Sequence, residues 1–187
     1  CGGYTGNGLL NLLEVFDCEH NTWSELAPMP NPRDGIGMTT LNENIYIAGG
    51  WNGLNTLSSV LVYSPETNTW TEVKAMNEAR DGHELVTLHN SIYAIAGEQT
   101  NTVERYSPAI DEWNFVSSTH HNHSVFGAVS HQDKIYVLSE YGFEVFHPDS
   151  GYWEELPSLS IEWGPQLVSI NNKLWALGGG QTVYEFD

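Results

Sequence analysis

Ile45-Tyr46-Ile47-Ala48-Gly49-Gly50, followed by Val62-Tyr63-Ser64-Pro65 and Asn68-Thr69-Trp70, is the stretch on which the fold turns, because its markers return along the whole chain. Trp23, Trp70, Trp113 and Trp153 are separated by 47, 43 and 40 residues. Seven residues before each stands an aromatic: Phe16, Tyr63, Tyr106 and Phe146. Two residues before each is Asn21, Asn68, Asp111 or Gly151, all types that tolerate the left-handed backbone of a short hairpin. Ten residues after the Trp come Arg33 and Arg80, replaced by His123 and Trp163 in the later units. Tyr46, Tyr93 and Tyr136 follow the Trp by 23 residues, and Trp175 does so by 22. A glycine pair comes next: Gly49-Gly50 and Gly178-Gly179, half kept as Ala96-Gly97 and lost as Ser139-Glu140, with Gly2-Gly3 opening the series.

Between these markers the apolar stretches are strand-length and no window carries a helical period. Each unit therefore predicts four short antiparallel strands, at 36–41, 44–49, 59–64 and 69–73 in the first full unit. Polar turns at Asn42-Glu43, His89-Asn90, Gln132-Asp133 and Asn171-Asn172 join the first two strands of each unit. A four-stranded sheet repeated every 40 to 47 residues is a blade of a β-propeller. The expected organisation is all-β over residues 1–187. It has outer strands of a first blade in 1–26, full blades at 33–73, 80–116 and 123–155, and a partial last blade at 165–187. Paired glycines let the second strand approach a neighbouring backbone, and the Tyr and Trp rings fill the wedge between twisted sheets. A buried Arg33 or Arg80 bonds several carbonyls at once through its planar fork.

Composition narrows the class. With 24 acidic and 6 basic residues the net charge is −18, which disfavours binding to nucleic acid or to anionic membrane surfaces. No apolar run approaches the roughly 20 residues needed to span a bilayer. Seven Trp, nine Tyr and 18 Gly fit an ordered, turn-rich β protein. Cys1 and Cys18 are too few for a secreted disulfide framework, so a cytoplasmic location is expected.

The pattern hydrophobic-Tyr-x-x-Gly-Gly, then an aromatic, six residues and Trp, then Met-Pro and Arg, resembles the kelch repeat. Ala27-Pro28-Met29-Pro30 and Arg33 complete the motif, and the resemblance covers the whole chain. The WD40 propeller lacks support, because no Gly-His and Trp-Asp signature falls at its positions. Residues 2–33 are similar to the repeats of the BTB–BACK–kelch adaptors. That resemblance implies a propeller of six blades that holds a substrate while a BTB domain recruits a cullin-RING ubiquitin ligase. Against six blades the chain supplies about four and a half, and it begins Cys1-Gly2-Gly3 without Met. The expectation is a fragment without BTB and BACK domains, whose open strand edges lower its stability. A cytoskeletal kelch protein that binds actin is the alternative class.

Kelch adaptors, by the same resemblance, bind through the loops after the second strand and those leading into the first. The longest is Gly50 to Tyr63, where Trp51, Asn52, Leu54 and Asn55 combine an aromatic anchor with polar groups. Trp51 and Leu54 either meet a partner or fold back over the blade edge. Asp34, Asp81 and Ser124 follow the Arg position, and Glu98, Gln99, Glu140, Tyr141 and Gln181 lie on the other loops. Together they predict an acidic, hydrogen-bonding pocket for a basic or neutral protein or peptide segment; Asp34 and Asp81 alternatively cap the turn beside the Arg. His121 and His123, two apart on an extended segment beside His120, share a face suited to a metal. A third and fourth ligand at zinc spacing are missing, so no metal or cofactor is expected. Nor is catalysis: Cys1 and Cys18 are misplaced for a kelch copper oxidase, and no nucleophile elbow, phosphate loop or Asp box is present. Glu14, Glu72 and Glu155 read as carboxylates on solvated outer faces.

Overall fold

The computed structural model describes residues 1–124, 126–159, 164–178 and 183–186. Among them there is no helix. A small hairpin, β1 (Tyr4–Thr5) with β2 (Gly8–Leu9), precedes a two-stranded sheet of β3 (Glu14–Asp17) and β4 (Thr22–Glu25). Three four-stranded antiparallel blades follow. The first contains β5 (Gly37–Leu41), β6 (Asn44–Ala48), β7 (Val60–Ser64) and β8 (Thr69–Val73). The second contains β9 (Glu84–Leu88), β10 (Ser91–Ile95), β11 (Val103–Ser107) and β12 (Glu112–Val116). The third contains β13 (Gly127–His131), β14 (Lys134–Ser139), β15 (Gly142–His147) and β16 (Tyr152–Leu156). A three-stranded sheet of β17 (Gln166–Ile170), β18 (Lys173–Leu177) and β19 (Val183–Phe186) ends the chain. The sheets lie side by side as blades of a β-propeller.

The hairpins form where the sequence supplies left-handed backbone. Asn42 and Glu43 have φ of 49° and 63°, and the pairs at 89–90, 132–133 and 171–172 are likewise positive, the geometry of a two-residue turn matched to strand twist. Asn21, Asn68, Asp111 and Gly151 are all left-handed as well, and each closes the outer hairpin of its sheet. That register sets Phe16, Tyr63, Tyr106 and Phe146 directly opposite Trp23, Trp70, Trp113 and Trp153. Their ring centroids are 5.0 to 5.1 Å apart. The two Tyr members donate their hydroxyls to Asn68 and Asp111 at 2.8 Å; in the third blade the ring is Phe146 and the turn residue Gly151, so donor and acceptor are lost together.

In the three full blades the outer Trp also fastens its blade to the one before. The indole N–H of Trp70, Trp113 and Trp153 donates to the carbonyls of Ala27, Lys74 and Ser117 at 2.7 to 2.9 Å. Near the other end of the blade, the N–H of Gly3, Gly50 and Gly97 donates to the carbonyls of Arg33, Arg80 and His123 at 2.9, 2.7 and 3.2 Å. Gly49 and Gly50 are glycines of necessity there, with φ of 62° and 87°; a Cβ would sit 2.4 Å from the Arg80 carbonyl oxygen and 2.3 Å from that of Asp34. The core fills the wedges between blades. Tyr46, Tyr106 and Trp113 belong to the cluster joining the first two full blades, and Tyr93, Phe126, Phe146 and Trp153 to the next.

Two details depart from the sequence expectation. Strands expected at 36–41 and 59–64 begin one residue later, at Gly37 and Val60. The β1–β2 hairpin was not foreseen, since strands of two residues leave no periodic trace. Trp163, Gly179 and Gln181 lie outside the described residues.

Candidate functional site

The glycine stitches carry the next residue out onto one face. Tyr4, Trp51, Glu98 and Tyr141 occupy equivalent positions, one after each Gly-Gly or its replacement. Trp51 pairs its backbone with Asp34, N–H to carbonyl at 2.9 Å and carbonyl to N–H at 3.1 Å, and Glu98 repeats the first bond to Asp81 at 2.8 Å. The two predicted loop classes thus meet residue by residue. Tyr4 was missed, although it follows Gly2-Gly3 as Trp51 follows Gly49-Gly50, and it is 66% exposed.

Trp51 is 36% exposed and Leu54 is 79% exposed, so Leu54 does not fold back over the blade. Asn52 uses its side-chain oxygen to shape this loop, accepting the N–H groups of Leu54 and Asn55 at 2.9 and 2.8 Å. Beside it Asp34, Asp81 and Glu98 gather. Burial, followed by the charges of Glu98 and Asp34, pushes the Asp81 carboxyl above its ordinary value, against a bond from the Gly82 N–H. Asp81 therefore caps its own turn and still belongs to a mutually repelling acidic group.

Between the second and third full blades this face opens into a groove of about 510 Å³, lined by Gly97, Gln99, His120, His121, Asn122, Ser124 and Tyr141. Gln99, Ser124 and Tyr141 were expected on the site, whereas His120, His121 and Asn122 were not assigned to it. Glu140 accepts the Tyr141 hydroxyl and raises its pKa.

Below the groove lies a buried carboxylate. Glu144 accepts the backbone N–H groups of His120 and His121 at 2.9 and 3.3 Å, the His120 ring at 2.7 Å and His123 Nε2 at 2.8 Å. Burial works to raise its pKa, but the bonds from His123 and His120 prevail and hold it at about 2, so Glu144 is an anion. The other nitrogen of His123, Nδ1, is 2.7 Å from Ser139 Oγ, which also accepts the Tyr141 N–H at 3.0 Å. The second blade has the same plan with different chemistry. Glu104 accepts from Asn77 N and Nδ2, both at 2.7 Å, from Glu78 N at 3.1 Å, and from Arg80 at 3.1 Å. Arg80 also reaches the carbonyls of Ala96 and Thr102. In the first full blade Leu61 holds the carboxylate position, and Arg33 bonds the Gly49 carbonyl and Ser59 Oγ, both at 3.1 Å. Glutamate two residues before Tyr106 and Phe146 was the sequence signal for these pairs.

Ser139, His123 and Glu144 form a Ser–His–carboxylate chain, yet Ser139 is buried and its oxygen is already engaged by Tyr141, so this serine is not presented to the groove as a nucleophile. The two histidines considered for a metal are tied to different carboxylates: His121 to Glu155 at 2.7 Å and His123 to Glu144. Their rings stand perpendicular, 6.2 Å apart. Among the described residues no group of three or more His, Cys, Asp or Glu converges on a metal position. Glu155 pairs with His121 while staying 59% exposed on the outer face, as expected of a solvated carboxylate. Glu84, at the head of β9 where neighbouring blades carry Gly37 and Gly127, has its carboxyl pushed up to about 7 by burial.

Blades built in this way, with an outer Trp bonded to the preceding loop and a glycine pair stitched to the next buried Arg or His, define a kelch-type β-propeller. The comparisons with known proteins agree. Residues 1–139 match the KLHDC2/KLHL20/DRC7 Kelch-repeats domain. The chain is 37% identical over 189 residues to Kelch-like protein 21 of Rattus norvegicus, covering 98% of this chain and 31% of that protein. The chain belongs to the kelch-repeat family, and it spans about a third of the length of the curated relative it matches. Among the described residues no helix is long and apolar enough to cross a membrane.

Proposed function

We propose that the chain is the partner-recognition propeller of a kelch-like adaptor, binding a basic or neutral protein or peptide segment on the face that carries Trp51, Glu98 and Tyr141. The observation that supports it is the groove lined by Gln99, Ser124 and Tyr141 beside the acidic group of Asp34, Asp81 and Glu98. Trp51, Asn52 and Asn55 extend the surface on one side, and Glu140 does so on the other. A groove of several hundred Å³ with convergent polar groups suits an extended segment, and uncompensated carboxylates favour Lys or Arg on it. The reading extends to coupling to a cullin-RING ligase through a BTB domain and to a cytoplasmic setting, for which the kelch-like relationship is the support. The role is non-catalytic.

The test is binding of fluorescent twelve-residue peptides, rich in Lys and Arg or neutral, to the wild-type chain and to Asp34→Ala with Asp81→Ala. The double variant is expected to weaken the basic peptides about tenfold at low salt, with the difference shrinking as salt rises. Equal affinity in both chains at every salt concentration would remove the acidic group from the site. Co-sedimentation with F-actin, with no peptide binding, would favour the cytoskeletal reading.

A further inference from the structure

The groove wall hangs on a chain of buried hydrogen bonds. His123 is fully buried and touches Glu144 on one side and Ser139 on the other, and Ser139 in turn holds the backbone of Tyr141. Because Glu144 is an acceptor, Nε2 of His123 must keep its hydrogen in either charge state. The exchangeable proton is therefore the one on Nδ1. With Nδ1 bare, the Ser139 hydroxyl donates to it, which makes the serine oxygen a better acceptor for the Tyr141 N–H. With Nδ1 protonated by solvent, Ser139 Oγ must accept from both Nδ1 and Tyr141, and its own hydrogen turns elsewhere in a buried site. One proton gained at His123 thus reverses one hydrogen bond and weakens the next.

We propose that His123 is a proton-sensitive support for the groove, transmitting its charge state through Ser139 to Tyr141 and so regulating what the groove holds; this rests on reading the groove as the partner site. Imidazole is the side chain whose charge changes between about pH 5 and 8. The second blade lacks the device, since Arg80 carries a permanent charge and Ala96 stands where Ser139 does. The charged and titratable groups around the relay come from each neighbouring element. The loop before β13 supplies His120 and His121, β15 supplies Glu144, and β16 supplies Glu155, which pairs with His121. The β14–β15 turn brings Glu140 and Tyr141, and the second full blade brings Glu98 and Asp81 farther along the same face. Ser139 is the positioning residue in this chain, and it has no reacting role.

Nuclear magnetic resonance of the ¹⁵N-labelled chain tests the relay directly, by following the His123 ring nitrogens and the backbone amides from about pH 5.5 to 8. The Tyr141 amide is expected to move upfield on acidification with the midpoint of His123, whereas the equivalent Glu98 amide does not share that midpoint. In Ser139→Ala, the Tyr141 amide stops following the His123 ring. A Tyr141 amide that ignores the His123 midpoint, or a His123 ring that keeps one charge state throughout, overturns the relay even if the variant fails to fold. The basic peptides above, measured at pH 6 and 8, supply the second arm. Wild-type affinity should change about threefold or more, the scale of one altered hydrogen bond, and the change should shrink in Ser139→Ala to what His120 and His121 in the groove lining contribute directly. Peptide affinity equal at both pH values contradicts the regulation. Absence of peptide binding at either pH, with the amide coupling intact, overturns only the partner reading on which the regulation rests.

Discussion

The junctions leading into the second and third full blades place a buried glutamate at the same position and satisfy it differently. Glu104 is held by the Arg80 guanidinium and by the Asn77 and Glu78 backbone in a closed network. Glu144 is held by His123, by His120 and by two backbone N–H groups, and its donors belong to the loop that lines the groove. One architecture thus yields an arginine clamp between two blades and a histidine clamp between the next two. The first full blade marks the limit of the series: Arg33 is buried against Gly49 and Ser59 with Leu61 opposite, and burial depresses its pKa, with Glu72 opposing. A scaffold that tolerates three versions of one contact is free to vary the loop above it.

The widest gap between these junctions should come from removing the cation. Arg80→Met leaves Glu104 buried without its charge partner and is expected to cost about 3–5 kcal/mol. Arg33→Met, which leaves no carboxylate behind, should cost about 1–2 kcal/mol for the lost hydrogen bonds. Urea unfolding of the two variants checks the ordering, and equal losses would show that Glu104 adds nothing to the second junction. At the small end, Leu54→Ala on the exposed loop should change stability by less than about 0.5 kcal/mol, so any effect on peptide binding reads directly as contact.

Much of the fold was legible because its determinants are local. Turn residues with left-handed backbone, aromatics facing Trp across a two-strand hairpin, and glycines where backbones touch all leave a fixed spacing in the chain. The site was legible in outline only. Asp34 with Trp51 and Asp81 with Glu98 meet because the loops themselves repeat. The places of His120 and His121 depend on Glu144, more than 20 residues away on another strand, a contact that the spacing of neighbouring residues does not reveal. Ser139 stands where the repeat loses a glycine, and its side chain links His123 to Tyr141.

The claim that Glu144 is an ionised keystone held by the groove loop is tested most directly by acid. Its pKa is depressed from 4.5 to about 2, so the stability it contributes is complete above about pH 4.5 and is lost as pH falls toward 2. Carboxylates remote from Glu144 titrate alike in wild type and Glu144→Gln, so the gap between the two unfolding curves reports Glu144 together with its histidine partners. That gap should shrink by about 2 kcal/mol between about pH 5 and 3. A gap that stays constant over the same range would show that Glu144 is not held as an anion, and would contradict the account.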